Sequence, residues 1–188
     1  MKLEFPLHTE RLLLRPFEAG DFDAVYAYYS QPSVARYLYW DARNEDETRQ
    51  ALEKRAKDTQ LSHEGDALCL AVTLKKSQHL IGEVTLFWRS EEHQQGEIGF
   101  IFSPEFGGQG YATEASEVLL NIGFETMKLH RIYGRCDARN VASYRLMERL
   151  GMRREAHLIE NEWVKGEWCS ELVYALLKTE WESRNEDE

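Results

Sequence analysis

The sequence predicts one mixed α/β domain built around a mostly antiparallel sheet. Its 188 residues suit a single domain that can bury a core. Three short runs rich in β-branched and aromatic residues follow one another between polar turns, which is typical of an antiparallel meander. Helical periodicity occurs on both sides of these runs, and neither an internal repeat nor a linker divides the chain. Five tryptophans, nine tyrosines and eight phenylalanines exclude a disordered chain.

The first third of the chain predicts one strand and two helices. Residues 10–15, ERLLLR, form the predicted strand. Asp21 can cap the helix that follows, and Pro32 would end that helix. A second helix is expected from about 44–61.

The centre of the chain predicts the meander itself. Its strands are expected over 67–74 (ALCLAVTL), 80–88 (LIGEVTLFW) and 96–102 (GEIGFIF). Residues 75–79 are short enough for a hairpin turn, whereas 89–96 predict a longer polar loop. GEIGFIF is therefore the fourth predicted strand.

The last third alternates helices and strands. Apolar residues recur at helical spacing over 112–126, and the strand RIYGRC precedes a helix over about 141–150. Two final segments, EAHLIENEWV and WCSELVYALL, predict a hairpin that turns around Lys165–Gly166. The acidic tail, about 180–188, is expected to be frayed.

A glycine-rich turn joins the fourth predicted strand to a helix. After Pro104 the chain carries Gly107, Gly108 and Gly110. Glycines allow positive φ and a close approach of a ligand to the main chain, and the first turn of the helix adds unpaired N–H groups. These features predict an anion site that suits pyrophosphate, with a purely structural turn as the alternative. A Walker loop is excluded because Tyr111, not lysine, follows the last glycine, and the spacing of a dinucleotide fingerprint is also absent.

This turn, SPEFGGQGYATEA, resembles the acetyl-CoA-binding motif of the GNAT superfamily of N-acetyltransferases. It is most similar to the RimJ/RimL-like branch, which acetylates the N-termini of ribosomal proteins. Three further segments match that branch in order, namely TERLLLRPFEAGD, LHRIYGRCDARNVASYRLMERLGM and GEWCSELVYALLKTEW. The resemblance therefore covers nearly the whole chain.

The resemblance implies a GNAT fold in one domain over 1–188, with about four helices around a sheet that splays open between its fourth and fifth strands. The pantetheine arm of acetyl-CoA, the co-substrate, would lie in that split and pair with the fourth strand. The wider superfamily often carries Gln or Arg where this loop has Glu105, so one side-chain contact is lost. Carried over position by position, the expected co-substrate contacts are Ile101, Phe102, Ser103, Gly108, Gln109, Gly110, Tyr111, Ala112, Thr113, Asn140 and Ser143.

Acetyl transfer to an amine needs a neutral amine, a donor for the developing oxyanion and a proton for the departing thiolate. Many GNAT enzymes supply the proton from a tyrosine on the fourth helix, four residues before the glycine that ends it. That position is Met147 here, which has no proton to give. The resemblance to the RimJ/RimL-like branch therefore assigns the acid to Ser143, with a helix-capping role as the alternative.

A carboxylate acting directly or through water is the expected base. Glu97 is the first choice because it opens the fourth strand in the sheet interior, where carboxylates are unusual. Glu83 on the third strand and Asp137 at the end of the fifth are the other candidates. For each of the three, an ion-paired or solvated carboxylate is the alternative.

The cysteines and histidines predict no further chemistry. Cys69, Cys136 and Cys169 form no CxxC pair, and the six histidines show no ligand spacing, so no metal is expected. Unpaired cysteines favour a reducing compartment. With no signal-like start and no apolar run of membrane length, the prediction is a soluble, cytoplasmic protein.

The charge is negative overall but unevenly distributed. A formal charge of −10 argues against a nucleic acid or an anionic membrane as partner and fits a cationic one. Residues 128–154, however, hold eight basic and two acidic side chains. This basic block includes Arg139, Arg145 and Arg149 and adjoins the expected acetyl-CoA site, so Arg149 is added to the co-substrate contacts.

We therefore predict an acetyl-CoA-dependent N-acetyltransferase that works by direct attack. Its acceptor would be a primary amine, either a protein N-terminus of the ribosomal-protein kind or a small cationic amine. The resemblance also places part of the aromatic cluster at 26–40 in the acceptor wall and allows a homodimer. A non-catalytic acyl-CoA-binding sensor or scaffold is the alternative, and a nucleotide-binding regulator is a third possibility.

Overall fold

The computed structural model describes residues 3–186. Within that range eight strands form one sheet. The strands are β1 (Leu7–His8), β2 (Leu12–Arg15), β3 (Ala67–Leu74), β4 (Leu80–Ser90), β5 (Gln95–Phe102), β6 (Arg131–Asp137), β7 (Arg153–Val164) and β8 (Glu167–Leu177). Their order in the sheet is β1-β2-β3-β4-β5-β6-β8-β7. Every neighbouring pair is antiparallel except β5 and β6, which confirms the mixed, mostly antiparallel sheet.

Six helices accompany the sheet in the described part of the chain, two more than the approximate four expected. They are α1 (Phe22–Tyr29), α2 (Pro32–Ala35), α3 (Glu45–Arg55), α4 (Tyr111–Asn121), α5 (Val141–Arg149) and α6 (Lys178–Glu186). α4 continues directly into a wider π-helical turn, Ile122–Thr126. The two additional helices are the four-residue α2, where Pro32 begins a helix instead of ending one, and the C-terminal α6.

The sheet splits where the resemblance predicted. Strands β5 and β6, the fourth and fifth predicted strands, pair in parallel at three positions of the described chain, from Gln95 with Arg131 to Glu97 with Tyr133. Beyond Glu97 the two strands are no longer paired, although β5 continues its pairing with β4 as far as Phe102. The split therefore leaves one edge of β5 free.

Helices cover both faces of the sheet, and β3 is buried on both. Leu68, Leu70 and Val72 belong to the larger core, which includes residues of α4 and α5. Cys69 and Ala71 belong to the smaller core formed with α1 and α3. A strand buried on both faces has a continuous apolar run instead of an alternating one, as ALCLAVTL does.

The predicted helix over 44–61 is too long, because α3 ends at Arg55. The chain then turns back to the sheet, where the carbonyl of Asp58 accepts a hydrogen bond from the amide of Cys69 at 2.7 Å. This contact with β3 competes with continued helix, and helical periodicity does not reveal it.

Two smaller predictions also differ from the structure. Asp21 makes no capping hydrogen bond to α1, because its carboxylate pairs with Arg15 at 2.7 Å instead. The polar loop expected over 89–96 is a short turn, since β4 runs to Ser90 and β5 begins at Gln95.

The acidic tail is helical where it is described, so the expectation of a frayed end was wrong there. Trp181 is 6% exposed, and its ring stacks on Phe124 with 5.8 Å between centroids. Arg184 donates to the carbonyl of Leu150 at 3.1 Å and pairs with Glu117 at 2.9 Å. These contacts anchor α6, whereas 187–188 lie outside the described residues. Across the described range, every helix is too short or too polar to cross a membrane.

Candidate active site

A cleft of about 440 Å³ opens where β5 and β6 diverge. Its lining comes from the loop after α2, the end of α3, the middle of β4 and β5, the end of β6, the start of α5 and the β7–β8 hairpin. Tyr37, Tyr39 and Trp40 of the aromatic cluster lie in this lining, whereas Tyr28 and Tyr29 are buried in the smaller core. Because separated strands leave backbone groups unpaired, the free edge of β5 can receive an extended ligand as an added strand.

The glycine-rich turn presents a row of free amides at the start of α4. Gly108 and Gly110 have φ of +74° and +81°, the left-handed conformation that glycine adopts most easily. The amides of Gly108, Gln109 and Gly110 donate no hydrogen bond to any part of the chain that is described. Those of Tyr111 to Thr113 begin the helix and have no helical acceptor. Consecutive free amides at the positive end of a helix fit the pyrophosphate of acetyl-CoA.

Arg11, just before β2, holds this turn in place. Its Nη1 donates to the carbonyl of Gln109 at 2.9 Å, and its Nε pairs with Glu114 at 2.6 Å. The guanidinium also stacks on the ring of Tyr111, 4.6 Å from the centroid. The start of the chain therefore fixes the shape of a loop about 100 residues later.

The three residues expected to meet the pantetheine arm occupy different positions. Ile101 lies in the cleft lining. The ring of Phe102 packs against Gly82, where a Cβ would lie 2.5 Å from Cδ1. The amide of Ser103 donates to the carbonyl of Ile81 at 2.9 Å and so continues the pairing with β4.

The start of α5 lies at the cleft and carries the predicted acid. Oδ1 of Asn140 accepts a hydrogen bond from the amide of Ser143 at 3.2 Å, so Asn140 caps the helix and Ser143 lies in its first turn. Both residues line the cleft, and the Ser143 hydroxyl has no hydrogen-bond partner among the described residues. Met147 is 1% exposed and packs against Gly134, so it belongs to the core.

Glu97 lies in the cleft with both carboxylate oxygens engaged. It is 8% exposed, and it pairs with Arg89 at 2.7 Å and with Arg135 at 3.2 Å. Burial raises the pKa of the neighbouring Tyr133, and the charge of Glu97 adds to that effect. Two guanidinium groups therefore hold the two carboxylate oxygens of Glu97.

The other two predicted candidates for the base are also ion-paired. Glu83 is 1% exposed and pairs with Arg55 at 3.1 Å. It also accepts a hydrogen bond from the hydroxyl of Tyr29 at 2.8 Å. Asp137 pairs with Arg139 at 2.7 Å. Burial raises the pKa of the Asp137 carboxyl, but the hydrogen bonds from Arg139 outweigh this effect and the net pKa is lowered.

Glu171 was not among the predicted site residues, yet it lies in the cleft beside Glu97. It is 6% exposed, and its ion pair with Arg135 is long, at 3.4 Å. Burial raises the pKa of its carboxyl, Arg135 opposes this only in part, and Glu162 and Glu97 add to the rise. The signal in the sequence was an acidic residue inside the apolar run CSELVYALL.

Much of the basic block at 128–154 is neutralised within the protein. Arg131 and Arg153 both pair with Glu155 at 2.6 Å. Arg149 is an exception, because it is exposed and its Nε donates to Oγ1 of Thr113 at 3.3 Å. Arg149 and Thr113 therefore meet beside the free amides of the glycine-rich turn.

The cysteines offer no nucleophile in this cleft. Cys136 and Cys169 line it, but burial raises the pKa of both thiols, that of Cys136 to about 12, so the thiolates are scarce near neutral pH. Across residues 3–186, no group of three or more His, Cys, Asp or Glu side chains is placed to hold a metal ion.

Comparisons with known proteins agree with this geometry. The family model described as an acetyltransferase (GNAT) domain matches residues 11–153. The chain is 36% identical over 173 residues to the uncharacterized N-acetyltransferase YnaD of Bacillus subtilis (strain 168), covering 92% of this chain and 97% of the relative. It is 25% identical over 179 residues to the spermidine N(1)-acetyltransferase of Vibrio cholerae serotype O1, covering 95% and 99%.

A solved structure gives the same result. The crystal structure of the acetyltransferase (GNAT family) from Bacillus anthracis superposes with a TM-score of 0.81 at 35% identity, over 92% of this chain and 98% of that one. The GNAT domain match spans most of the chain, and GNAT acetyltransferases use acetyl-CoA as co-substrate. The chain belongs to the GNAT acetyltransferase family and is an acetyl-CoA-dependent enzyme that acts on amines.

Proposed function

We propose that the enzyme transfers acetyl directly from acetyl-CoA to a primary amine held in the same cleft, in the manner of the RimJ/RimL-like branch. The observation that carries the proposal is that a single cleft combines the free hydroxyl of Ser143 with the buried carboxylates of Glu97 and Glu171. The acceptor is a protein N-terminus or a small amine. The resemblance of the sequence supports the first, and the Vibrio cholerae relative named for spermidine supports the second.

Acetyl-CoA would bind along the split and the adjoining turn. The pantetheine arm pairs with the free edge of β5 around Ile101, and the amide group of Asn140 is available to hold it. The pyrophosphate accepts hydrogen bonds from the backbone amides of Gly108 to Thr113, and Arg149 adds positive charge. This arrangement orients the acetyl group toward the start of α5.

The acceptor must lose a proton before or as it attacks. We assign this proton to the carboxylate cluster of Glu97 and Glu171, which Arg135 bridges. Within the cluster we assign the proton to Glu171, because burial raises the pKa of its carboxyl and its only ion pair within the described chain is long, whereas arginines hold both oxygens of Glu97. Glu97 then positions Arg135 and, through it, Glu171.

Transfer forms the bond from the amine nitrogen to the acetyl carbon and breaks the bond from that carbon to sulfur. The amine proton passes to Glu171, directly or through one water molecule. The Ser143 hydroxyl gives its proton to the leaving thiolate and recovers one from solvent. No covalent acetyl-enzyme forms, so both substrates must be bound together.

The experiment is release of the CoA thiol with a panel of amines, combined with a separate measurement of CoA binding. The panel contains ribosomal-protein N-terminal peptides, spermidine and an aminoglycoside. Turnover with at least one amine is expected, and Ser143→Ala should lower kcat about 100-fold while CoA binding changes less than about threefold. Tight CoA binding with no turnover on any amine would instead identify an acyl-CoA sensor or scaffold, and unchanged turnover in Ser143→Ala would remove that residue as the acid.

A further inference from the structure

We propose that the acceptor carries a carboxylate as well as its amine, and that Arg36 binds this carboxylate. The inference rests on the proposed function, since it concerns the acceptor side of the same cleft. Two sources have this chemistry: a free amino acid, and a peptide whose N-terminal amine is followed closely by an acidic side chain. Polyamines, which carry only positive charge, lack it.

The charges that line the cleft are balanced. Among the residues that the structure describes, six acidic and six basic side chains take part in the lining. The acidic ones are Glu83, Glu97, Asp137, Glu162, Glu167 and Glu171. An acceptor with several ammonium groups would need a lining with a surplus of carboxylates.

Most of these carboxylates are also already paired with a basic side chain. Five of the six pair with an arginine of the same cleft at distances between 2.7 and 3.4 Å. The sixth, Glu162, accepts a hydrogen bond from the hydroxyl of Tyr39 at 2.6 Å. One ammonium group can be received where Glu171 is weakly compensated, and a second only beside Glu162, which has no basic partner among the described residues. A third would find every other carboxylate of the lining already paired with an arginine.

Arg36 differs from the other five basic side chains. Lys165 pairs with Asp41 at 3.5 Å, and the four other arginines pair with the carboxylates above. Arg36, which follows α2, has no carboxylate partner anywhere in residues 3–186, and it is exposed to solvent at the cleft. It is therefore a cation that is placed at the acceptor site and left uncompensated.

An aromatic ring orients this cation. The guanidinium of Arg36 lies 5.1 Å from the ring centroid of Tyr37, and that of Arg139 lies 5.8 Å from the same ring. Arg139 immediately precedes the Asn140 cap of α5, so Tyr37 connects Arg36 to the end of the cleft that holds Ser143. A guanidinium stacked on a ring keeps its N–H groups free at its edge, where they match a carboxylate in a bidentate manner.

The test compares pairs of acceptors in which one member carries a carboxylate and the other carries an amide in its place. One pair is alanine and alaninamide, and the other is the peptide amides Ala-Asp-Ala and Ala-Asn-Ala; spermidine is the cationic reference. The wild type should favour the acidic member of at least one pair about 10- to 100-fold in kcat/KM. A preference in the first pair identifies a free amino acid, and one in the second identifies a peptide N-terminus.

Variants of Arg36 connect this preference to the residue. Arg36→Gln should raise KM for the acidic member about 10-fold or more with kcat little changed, and should leave the neutral member within about twofold. Arg36→Lys should recover part of the loss. The matched control is Arg49→Gln, because Arg49 also stacks on a ring, that of Phe22, but lies on α3 outside the cleft lining.

Different results would overturn the carboxylate site at Arg36 and the proposed acetyl transfer. Equal loss for acidic and neutral members in Arg36→Gln, or a wild type that prefers spermidine to every acidic amine, overturns the carboxylate site and leaves the amine acetyltransferase standing. No turnover with any acceptor, in a protein that binds acetyl-CoA, overturns the proposed transfer itself.

Discussion

Glu83 and Glu171 are both buried carboxylates in the sheet, and both pair with an arginine, but their surroundings differ. Glu83 has a short ion pair with Arg55 at 3.1 Å and the hydroxyl of Tyr29 at 2.8 Å. Glu171 has one long contact at 3.4 Å, with Arg135, whose side chain is 36% exposed. A buried charge whose hydrogen bonds are satisfied serves the fold, whereas a poorly compensated one is available for proton transfer.

The largest effect expected from this difference is on stability. Glu83→Ala should destabilise the protein by about 3–5 kcal/mol, because it leaves the charge of Arg55 buried without its partner. Urea unfolding followed by tryptophan fluorescence measures the change. Glu83→Gln combined with Arg55→Met removes both charges and should be more stable than Glu83→Gln alone. A Glu83→Ala protein that unfolds at the wild-type urea concentration would show that the pair is not structural.

The second effect is on catalysis. Glu171→Gln should lower kcat about 100-fold, the low end of what a general base contributes, and should change the free energy of unfolding by less than about 1 kcal/mol. Steady-state kinetics and urea unfolding on the same preparation test both parts. Glu97→Gln is the informative comparison, since a larger loss of kcat there than in Glu171→Gln would make Glu97 the direct base.

The pH dependence distinguishes the two carboxylates further. Because burial raises the pKa of Glu171 above its ordinary value of 4.5, the basic form appears only above that pH. The rate kcat/KM should therefore rise with pH through this raised pKa, and Glu171→Gln should abolish that rise. A pH profile with the same acidic limb in wild type and Glu171→Gln would contradict the assignment.

The raised pKa of Glu171 also predicts how its replacement affects stability. Above that pKa, replacing Glu171 should not destabilise the protein, whereas replacing Glu83 should. A pKa raised in the folded state favours the protonated form, so the stabilisation by Glu171 is present below pH 4.5 and is lost as the pH rises through the raised value. Above that range Glu171→Gln should be at least as stable as the wild type. Measuring the free energy of unfolding at several pH values tests this. The prediction fails if the stability of Glu171→Gln, expressed relative to that of the wild type, falls as the pH rises.

The sequence predicted the parts of the site that are local and missed those that depend on distant contacts. The turn from Gly107 to Gly110 is encoded within a few residues, and the run ALCLAVTL predicted a strand by itself. The role proposed for Glu171 depends on Arg135, which is 36 residues away in the chain and adjacent only in the sheet. The helix of the tail likewise depends on the stacking of Trp181 on Phe124, which no local pattern reveals.

The smallest effect should come from Arg11, whose charge is exposed. Its side chain is 42% exposed, so its pair with Glu114 is screened by water and is worth far less than the enclosed pair of Glu83. Its contact with the carbonyl of Gln109 nevertheless shapes the turn that is proposed to bind pyrophosphate. Arg11→Ala should therefore raise KM for acetyl-CoA about threefold with kcat unchanged, and added salt should reduce the difference between variant and wild type. A tenfold or larger increase in KM that persists in high salt would contradict this prediction. It would mean that the loop depends on Arg11 as strongly as the core depends on Glu83, so that the contrast between exposed and enclosed charges does not hold at this site.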